Sequence, residues 1–195
     1  MTTRTFTTTA GGSWETATNW GPSQVVPGEN DTALISVPGT YTVTMGSLEE
    51  ANSVTMSDPA ATLSISASGE YAGNLITLNA GTLAFAGTIL GATVVANGGA
   101  FAPTSGTLDG VTWQGPLGGS TSLGSPIVDI KDGITLLNLA GTGPGTLNIT
   151  SLLYMANILD STPLSDMTIN FDTPNNGYLT DSSGALIVDT SMTIN

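Results

Sequence analysis

This sequence predicts an all-β solenoid on three observations. An apolar–polar–apolar alternation recurs along the chain, turn-forming residues follow most of its pieces, and equivalent pieces return at intervals of 20 to 25 residues. The alternation reads Val54-Thr55-Met56, Leu63-Ser64-Ile65 and Ile76-Thr77-Leu78. It continues as Val111-Thr112-Trp113, Ile134-Thr135-Leu136, Leu147-Asn148-Ile149, Met167-Thr168-Ile169 and Met192-Thr193-Ile194. In a strand such a triplet puts its two apolar side chains on one face and the polar one on the other. Thr, Val and Ile also suit the pleated backbone sterically. Gly, Asn, Asp or Pro after most of these short runs supplies the turn.

The interval separates a solenoid from a sandwich. Thr62–Ile65 and Thr82–Phe85 start 20 residues apart, as do Leu147–Ile149 and Met167–Ile169, and Ala185–Val188 begins at a like distance after Asp166. Thr107-Leu108 and Ile127–Ile130 keep the same rhythm. Stacked coils, each giving one strand to each face, produce this recurrence. A β-sandwich or jelly roll is the alternative fold, because Gly/Thr-rich chains generate chance self-similarity, but its strands would come roughly every 8–12 residues without long-range recurrence. Asn79, Asn97, Asn138, Asn148, Asn157, Asn170 and Asn195 end or interrupt strands, and two readings apply. They stack along a solenoid axis and bond one another, or they serve turns locally. Leu152–Leu159 has helical spacing but is short and follows a strand, so a buried strand explains it as well.

Composition supports folding and excludes several functions. The chain of 195 residues has 25 Gly, 9% charged and 39% hydrophobic residues. Disorder requires low hydrophobicity together with high charge, a combination missing here. Two basic residues, Arg4 and Lys131, face 15 acids for a net charge of -13. Nucleic acid and anionic membrane surfaces both need clustered Lys and Arg, so neither is an expected partner. The acidic surface fits a secreted protein and can attract divalent cations. With no Cys there is neither disulfide nor thiolate site. Met1–Ala10 has no apolar central run, so no secretory leader is read there. Tyr71–Leu108 carries no charge, but Gly and Asn interrupt it too often for a membrane span.

Residues 1–53 are expected to form N-terminal strands and a cap, and residues 54–195 one continuous run of solenoid repeats. In GGSWETATNW, Trp14 and Trp20 stand six apart. They cover the open end of the first coil, or they form a sugar-stacking platform, and the cap is the preferred reading. Trp14, Asn19, Trp20, Pro27, Gly28, Asn30, Asp31, Tyr41, Val43 and Ala51-Asn52-Ser53-Val54 together resemble the opening of bacterial β-strand-repeat surface proteins, the autotransporter-passenger-like and haemagglutinin-like group. The Gly/Thr/Asn-rich remainder is similar to the same group. That resemblance implies a right-handed parallel β-helix, a cell-surface or secreted location, and adhesion or matrix building.

No catalytic, cofactor or metal site is assigned. Without His or Cys, a Ser-His-Asp triad, a Cys-His pair and a His-ligated zinc are impossible. The best enzymatic candidate is the IVDIKDG segment, where Asp129 and Asp132 flank Lys131, as polysaccharide lyases on β-helices pair acids with a base. A solvated turn is the preferred reading. Calcium has two oxygen-rich turns, Asn30-Asp31-Thr32 and Asp181-Ser182-Ser183-Gly184, neither matching a calcium loop. The sequon-like Asn30-Asp31-Thr32 and Asn148-Ile149-Thr150 are chance in so Asn- and Thr-rich a chain.

The sequence therefore predicts a non-enzymatic extracellular structural or adhesive module, with a carbohydrate-binding or polysaccharide-processing β-helix as the alternative. Self-association or neighbouring repeats are the expected partners, with a glycan as a further one. Ser191–Asn195 repeats the pattern of Asp166–Asn170 with no atypical segment after it. This marks an assembly surface for end-to-end stacking, or a cut through a longer array.

Overall fold

In the computed structural model the chain winds into a parallel β-solenoid of about 6 turns. Residues 1–118, 126–149, 155–161, 164–171, 178–182 and 191–195 are described. Among them there is no α-helix, and one short 3₁₀ turn spans Ala17–Asn19.

Each coil contributes strands to three faces in a fixed order. The first face stacks Thr2–Phe6, Asp31–Ile35, Ser53–Met56, Leu75–Leu78 and Thr93–Ala96, all in parallel register. The second stacks Gly12–Ser13, Thr42–Met45, Thr62–Ile65, Thr82–Phe85 and Ala100–Pro103. The third begins with Leu48–Glu49, Glu70–Tyr71 and Thr88–Leu90. Two long strands, Thr107–Gln114 and Ile127–Leu137, serve the third face with their first halves and the first face with their second. Met155–Ile158 and Tyr178–Asp181 extend the third face further. A separate ladder holds Gly145–Ile149, Met167–Phe171 and Thr193–Ile194.

The triplets read from the sequence are the inward–outward–inward units of these strands. On the first face Ala33, Val54, Ile76, Val94, Trp113 and Leu136 form one buried row, each aligned with the next. On the second, Val43, Leu63, Leu83 and Phe101 do the same. Stacking like on like gives a continuous apolar rod down the axis, and each strand edge hydrogen-bonds the coil on either side. Ring contacts reinforce it where aromatics fall in the rows: Phe101 lies 5.7 Å from Phe85 and 4.9 Å from Trp113 between centroids. In the first coil Phe6, Trp14, Trp20 and Tyr41 make a second aromatic cluster.

One predicted pairing is shifted. The spacing aligned Leu147 with Met167, but the ladder pairs Leu147 with Ile169 and Gly145 with Met167. A shift of two residues keeps every side chain on its own face, so the apolar pattern alone cannot resolve it. Of the Leu152–Leu159 stretch, Met155–Ile158 is a strand. Leu152, Leu153 and Tyr154, and all of Ala185–Val188, lie outside the described residues.

Corners carry the special backbone. Between the third and first faces Gly110 (φ +61°) stands opposite Asp132 (φ +51°) and Gly133 (φ +78°), because the register runs Asp109 to Lys131 and then Val111 to Ile134. One residue faces two, so the pair is a β-bulge that lets both strands turn the corner. At the corner between the second and third faces, Gly87 packs so closely on the coil before it that a Cβ there would run into the carbonyl oxygen of Gly69.

Candidate functional site

Among the described residues the bulge brings together a base with two acids. Lys131 is aligned with Asp109 of the preceding coil, and its Nζ lies 2.6 Å from Asp109 Oδ2 and 3.4 Å from Asp132 Oδ2. Asp109 is 7% exposed. Its hydrogen bond and its charge together raise the Lys131 ammonium above the ordinary lysine value. The bulge turns the Asp132 backbone N–H to the next coil, where it donates to the Asp160 carboxylate. Asp129 points away from this cluster. Its Oδ1 accepts a 2.8 Å hydrogen bond from Asn157 Nδ2, and Asn157 Oδ1 accepts from Thr180 Oγ1 at 3.0 Å and Ser182 Oγ at 2.8 Å.

The expected triple of Asp129, Lys131 and Asp132 is therefore split. Lys131 and Asp132 stay together, Asp129 joins a different network, and Asp109 takes its place. Sequence reasoning missed Asp109 because it lies 22 positions from Lys131, and only the coil register brings them side by side. As chemistry the corner is an ion-paired lysine and a bonded carboxylate. Lys131 stands between the two carboxylates and pairs with both.

Beside this corner runs a groove of about 450 Å³, lined by Ile134–Leu137, Gly141–Pro144, Ser165 and Asp166. A smaller hollow of about 250 Å³ adjoins Gly110, Asp132 and Ser165. Each is walled by backbone, hydroxyls, aliphatic side chains and one aspartate, Asp166 in the groove and Asp132 in the hollow, and among the described residues no aromatic ring lines either.

Trp14, Trp20 and Trp113 are all fully buried. Trp20 Nε1 donates to the carbonyl of Trp14 at 2.7 Å. An indole with no exposed face cannot stack on a sugar ring, so the Trp14/Trp20 pair is no stacking platform in this conformation. The first calcium turn is also occupied otherwise: Asp31 Oδ2 accepts from Arg4 Nε at 2.6 Å and from the Gly28 N–H at 3.3 Å. Of the second turn, Ser183 and Gly184 lie outside the described residues, as does Thr150 of the second sequon. Among the described residues no three Asp or Glu side chains gather as a metal site would require, and no helix is long and apolar enough to cross a membrane.

The most organised polar features run along the axis. Asn195 Nδ2 donates to Asn170 Oδ1 at 2.9 Å, and Asn170 Nδ2 donates to Asn148 Oδ1 at 3.0 Å. Asn74 bonds Asn52 at 2.9 Å, and Asn97 bonds Asn79 at 3.2 Å. Of the two readings for the asparagines, stacking applies to Asn79, Asn97, Asn148, Asn170 and Asn195. Turn chemistry applies to Asn138, whose Oδ1 accepts from the Thr142 N–H at 3.2 Å. Asn157 does neither and bridges Asp129 to the following coil. Tyr71, one coil below Glu49, closes a further corner by sharing its hydroxyl between the carbonyls of Ala51 and Leu75, at 3.0 and 2.9 Å.

The chain matches no family model, no curated protein and no solved structure.

Proposed function

We propose that this chain is a non-enzymatic structural or adhesive module that works outside the cell, in the manner of the bacterial β-strand-repeat surface proteins its N-terminal residues resemble. One observation carries the reading: the asparagine ladder Asn148–Asn170–Asn195, in which the side chain of each coil is spent on bonding the next. Amide ladders of this kind add coil-to-coil cohesion. The outward rows tell the same way. Thr42, Thr62 and Thr82 follow one another on the second face, and Thr88 and Thr107 on the third, giving hydroxyl stripes at the strand spacing of about 4.8 Å. A flat, regular, acidic surface of this type suits contact with other surfaces or with copies of itself. In this reading residues 1–53 close the first coil, with Phe6, Trp14, Trp20 and Tyr41 as its aromatic seal.

Adhesion measured on beads coated with the chain tests this proposal, together with light scattering at rising concentration and a lyase assay on acidic polysaccharides. Retention on surfaces or concentration-dependent self-association, with no polysaccharide cleavage, is the expected result. Turnover of a polysaccharide that is lost in Lys131→Ala would overturn it.

A further inference from the structure

One buried acid has no part in the coil-to-coil ladders. The inward row of the third face runs Glu49, Tyr71, Ile89, Leu108, Ile130 and Ile158, so Glu49 occupies a core position, and it is 6% exposed. Glu15 reaches the same place from the segment that precedes the first 3₁₀ turn. Ser47 stands between them, its Oγ 3.2 Å from Glu15 Oε1 and 3.2 Å from Glu49 Oε1.

A hydroxyl has one proton to give. With both carboxyls ionised, Ser47 serves only one of its two neighbours, and two like charges share a mostly dry corner. With one added proton both contacts of the Ser47 hydroxyl are satisfied: Glu49 donates to Ser47 Oγ, and Ser47 donates to Glu15. The added proton belongs on Glu49. Burial pushes the Glu49 carboxyl up to about 7, and the charge of Glu15 adds to the effect. Burial also pulls on Glu15, but hydrogen bonds from Ser13, its own backbone, Gly46 and Ser47 outweigh it and hold that carboxyl below its ordinary value.

Glu15 is also a fastening point. Its Oε1 accepts the Gly46 N–H at 2.7 Å, while the adjacent Trp14 N–H donates to the Thr44 carbonyl at 2.8 Å. Residues 12–16 thus lie along residues 43–47 and carry the buried Trp14, whose ring packs edge-on against Trp20 at 4.6 Å.

We propose that Glu49, Ser47 and Glu15 form a one-proton latch that fastens residues 12–16 to the first coil and releases them when the shared proton is lost. The latch stands independently of the adhesive reading. Other groups around it do not supply a competing charge. Tyr71, next in the inward row, is held neutral by burial, Glu50 and Glu70 are further acids, and the Trp14 indole is uncharged. Both cations are engaged elsewhere, Arg4 with Asp31 and Lys131 with Asp109. A carboxyl whose folded value is raised stabilises the fold fully below its ordinary value of 4.5 and loses that contribution as pH rises toward 7.

Thermal unfolding at pH 5.5 and 8.5, with amide exchange at Trp14 and Gly46, tests the latch. The wild type is expected to lose about 5 °C in Tm over that interval, and the two amides to exchange at least about tenfold faster beyond the intrinsic base-catalysed rise. Glu49→Gln, which keeps a donor to Ser47 without a titrating group, is expected to show neither change. Glu15→Gln should move the transition to lower pH. Carboxyl-carbon NMR of the wild type gives an answer that needs no variant to fold: a Glu49 midpoint near neutrality that coincides with the amide change supports the latch. A midpoint near 4.5, or a wild-type pH profile that Glu49→Gln leaves unaltered, overturns it.

Discussion

Lys131 Nζ lies 2.6 Å from Asp109 Oδ2, one coil away and in direct register across the third face. The lysine head is half exposed, with 48% of its side chain accessible, whereas the Asp109 side chain is 10% accessible. The asymmetry decides what substitution does. Lys131→Met keeps an apolar chain of similar length but strands a buried carboxylate, so it should lower the unfolding midpoint, and Asp109→Asn in the same chain should recover part of the loss. Asp129→Ala removes one hydrogen bond from Asn157 and should cost about 1 kcal/mol. Urea denaturation of five chains, wild type, Lys131→Met, Asp109→Asn, their double variant and Asp129→Ala, measures each value, and a strictly additive Lys131/Asp109 pair would contradict the coupling.

Gly87 should tolerate no side chain. A Cβ there meets the carbonyl of Gly69, a backbone atom that cannot swing aside as a flexible side chain would. Gly87→Ala is expected to destabilise by about 2–4 kcal/mol. Gly28 is the control, because a Cβ there meets nothing within 4 Å. Gly28→Ala should stay within about 0.5 kcal/mol of wild type by the same denaturation assay.

The solenoid was legible because its core is periodic in sequence: Val54, Ile76, Val94 and Trp113 repeat one environment, and each triplet announces one strand. The Asp166–Asn170 and Ser191–Asn195 likeness was legible for the same reason, and Thr168 pairs with Thr193 as the alignment requires. Coil length was harder to read. Thr62 pairs with Thr82, 20 positions on, but Asn157 lies 28 positions from Asp129. Turns absorb this difference without altering the apolar pattern. Partners that depend on it, such as Asp109 with Lys131 or Glu15 with Glu49, leave no local signal. For Trp14 and Trp20 the residues alone left a sugar platform open beside the preferred cap, since an indole beside Gly reads the same in a core as on a surface, and their full burial decides against the platform.

The Arg4–Asp31 pair should shape the acid limb of stability. Arg4's hydrogen bond is the largest influence on Asp31 and holds its carboxyl below the usual 3.8 against the pull of burial. A lowered folded value contributes stability that is present above 3.8 and lost as pH falls through the depressed value. Calorimetry should therefore show Arg4→Gln less stable than wild type by a constant margin above about pH 5. The two should converge below about pH 3. A margin that stays constant down to pH 2 would show that Arg4 acts through packing and not through Asp31.

The asparagine ladder makes the sharpest demand on a single residue. Asn170 gives its Nδ2 to Asn148 and takes the Nδ2 of Asn195 on its Oδ1, so it is donor and acceptor at once, half-buried between two coils. Asn170→Ala deletes both bonds and leaves an acceptor on one side and a donor on the other. The expected cost is about 1–3 kcal/mol. Asn52→Ala breaks one exposed bond, to Asn74, and should cost less than about 1 kcal/mol because water replaces the partner. Asn170→Asp separates ladder chemistry from size. It preserves shape and the acceptor toward Asn195 but turns a carboxylate oxygen on Asn148 Oδ1, two acceptors face to face. At pH 7 it should therefore be worse than Asn170→Ala, and protonation near pH 4 should narrow the gap by restoring a donor. Urea midpoints at the two pH values measure all four chains. If Asn170→Ala proves no costlier than Asn52→Ala, the ladder contributes nothing to coil cohesion, and the proposal of a structural module loses the observation that carries it.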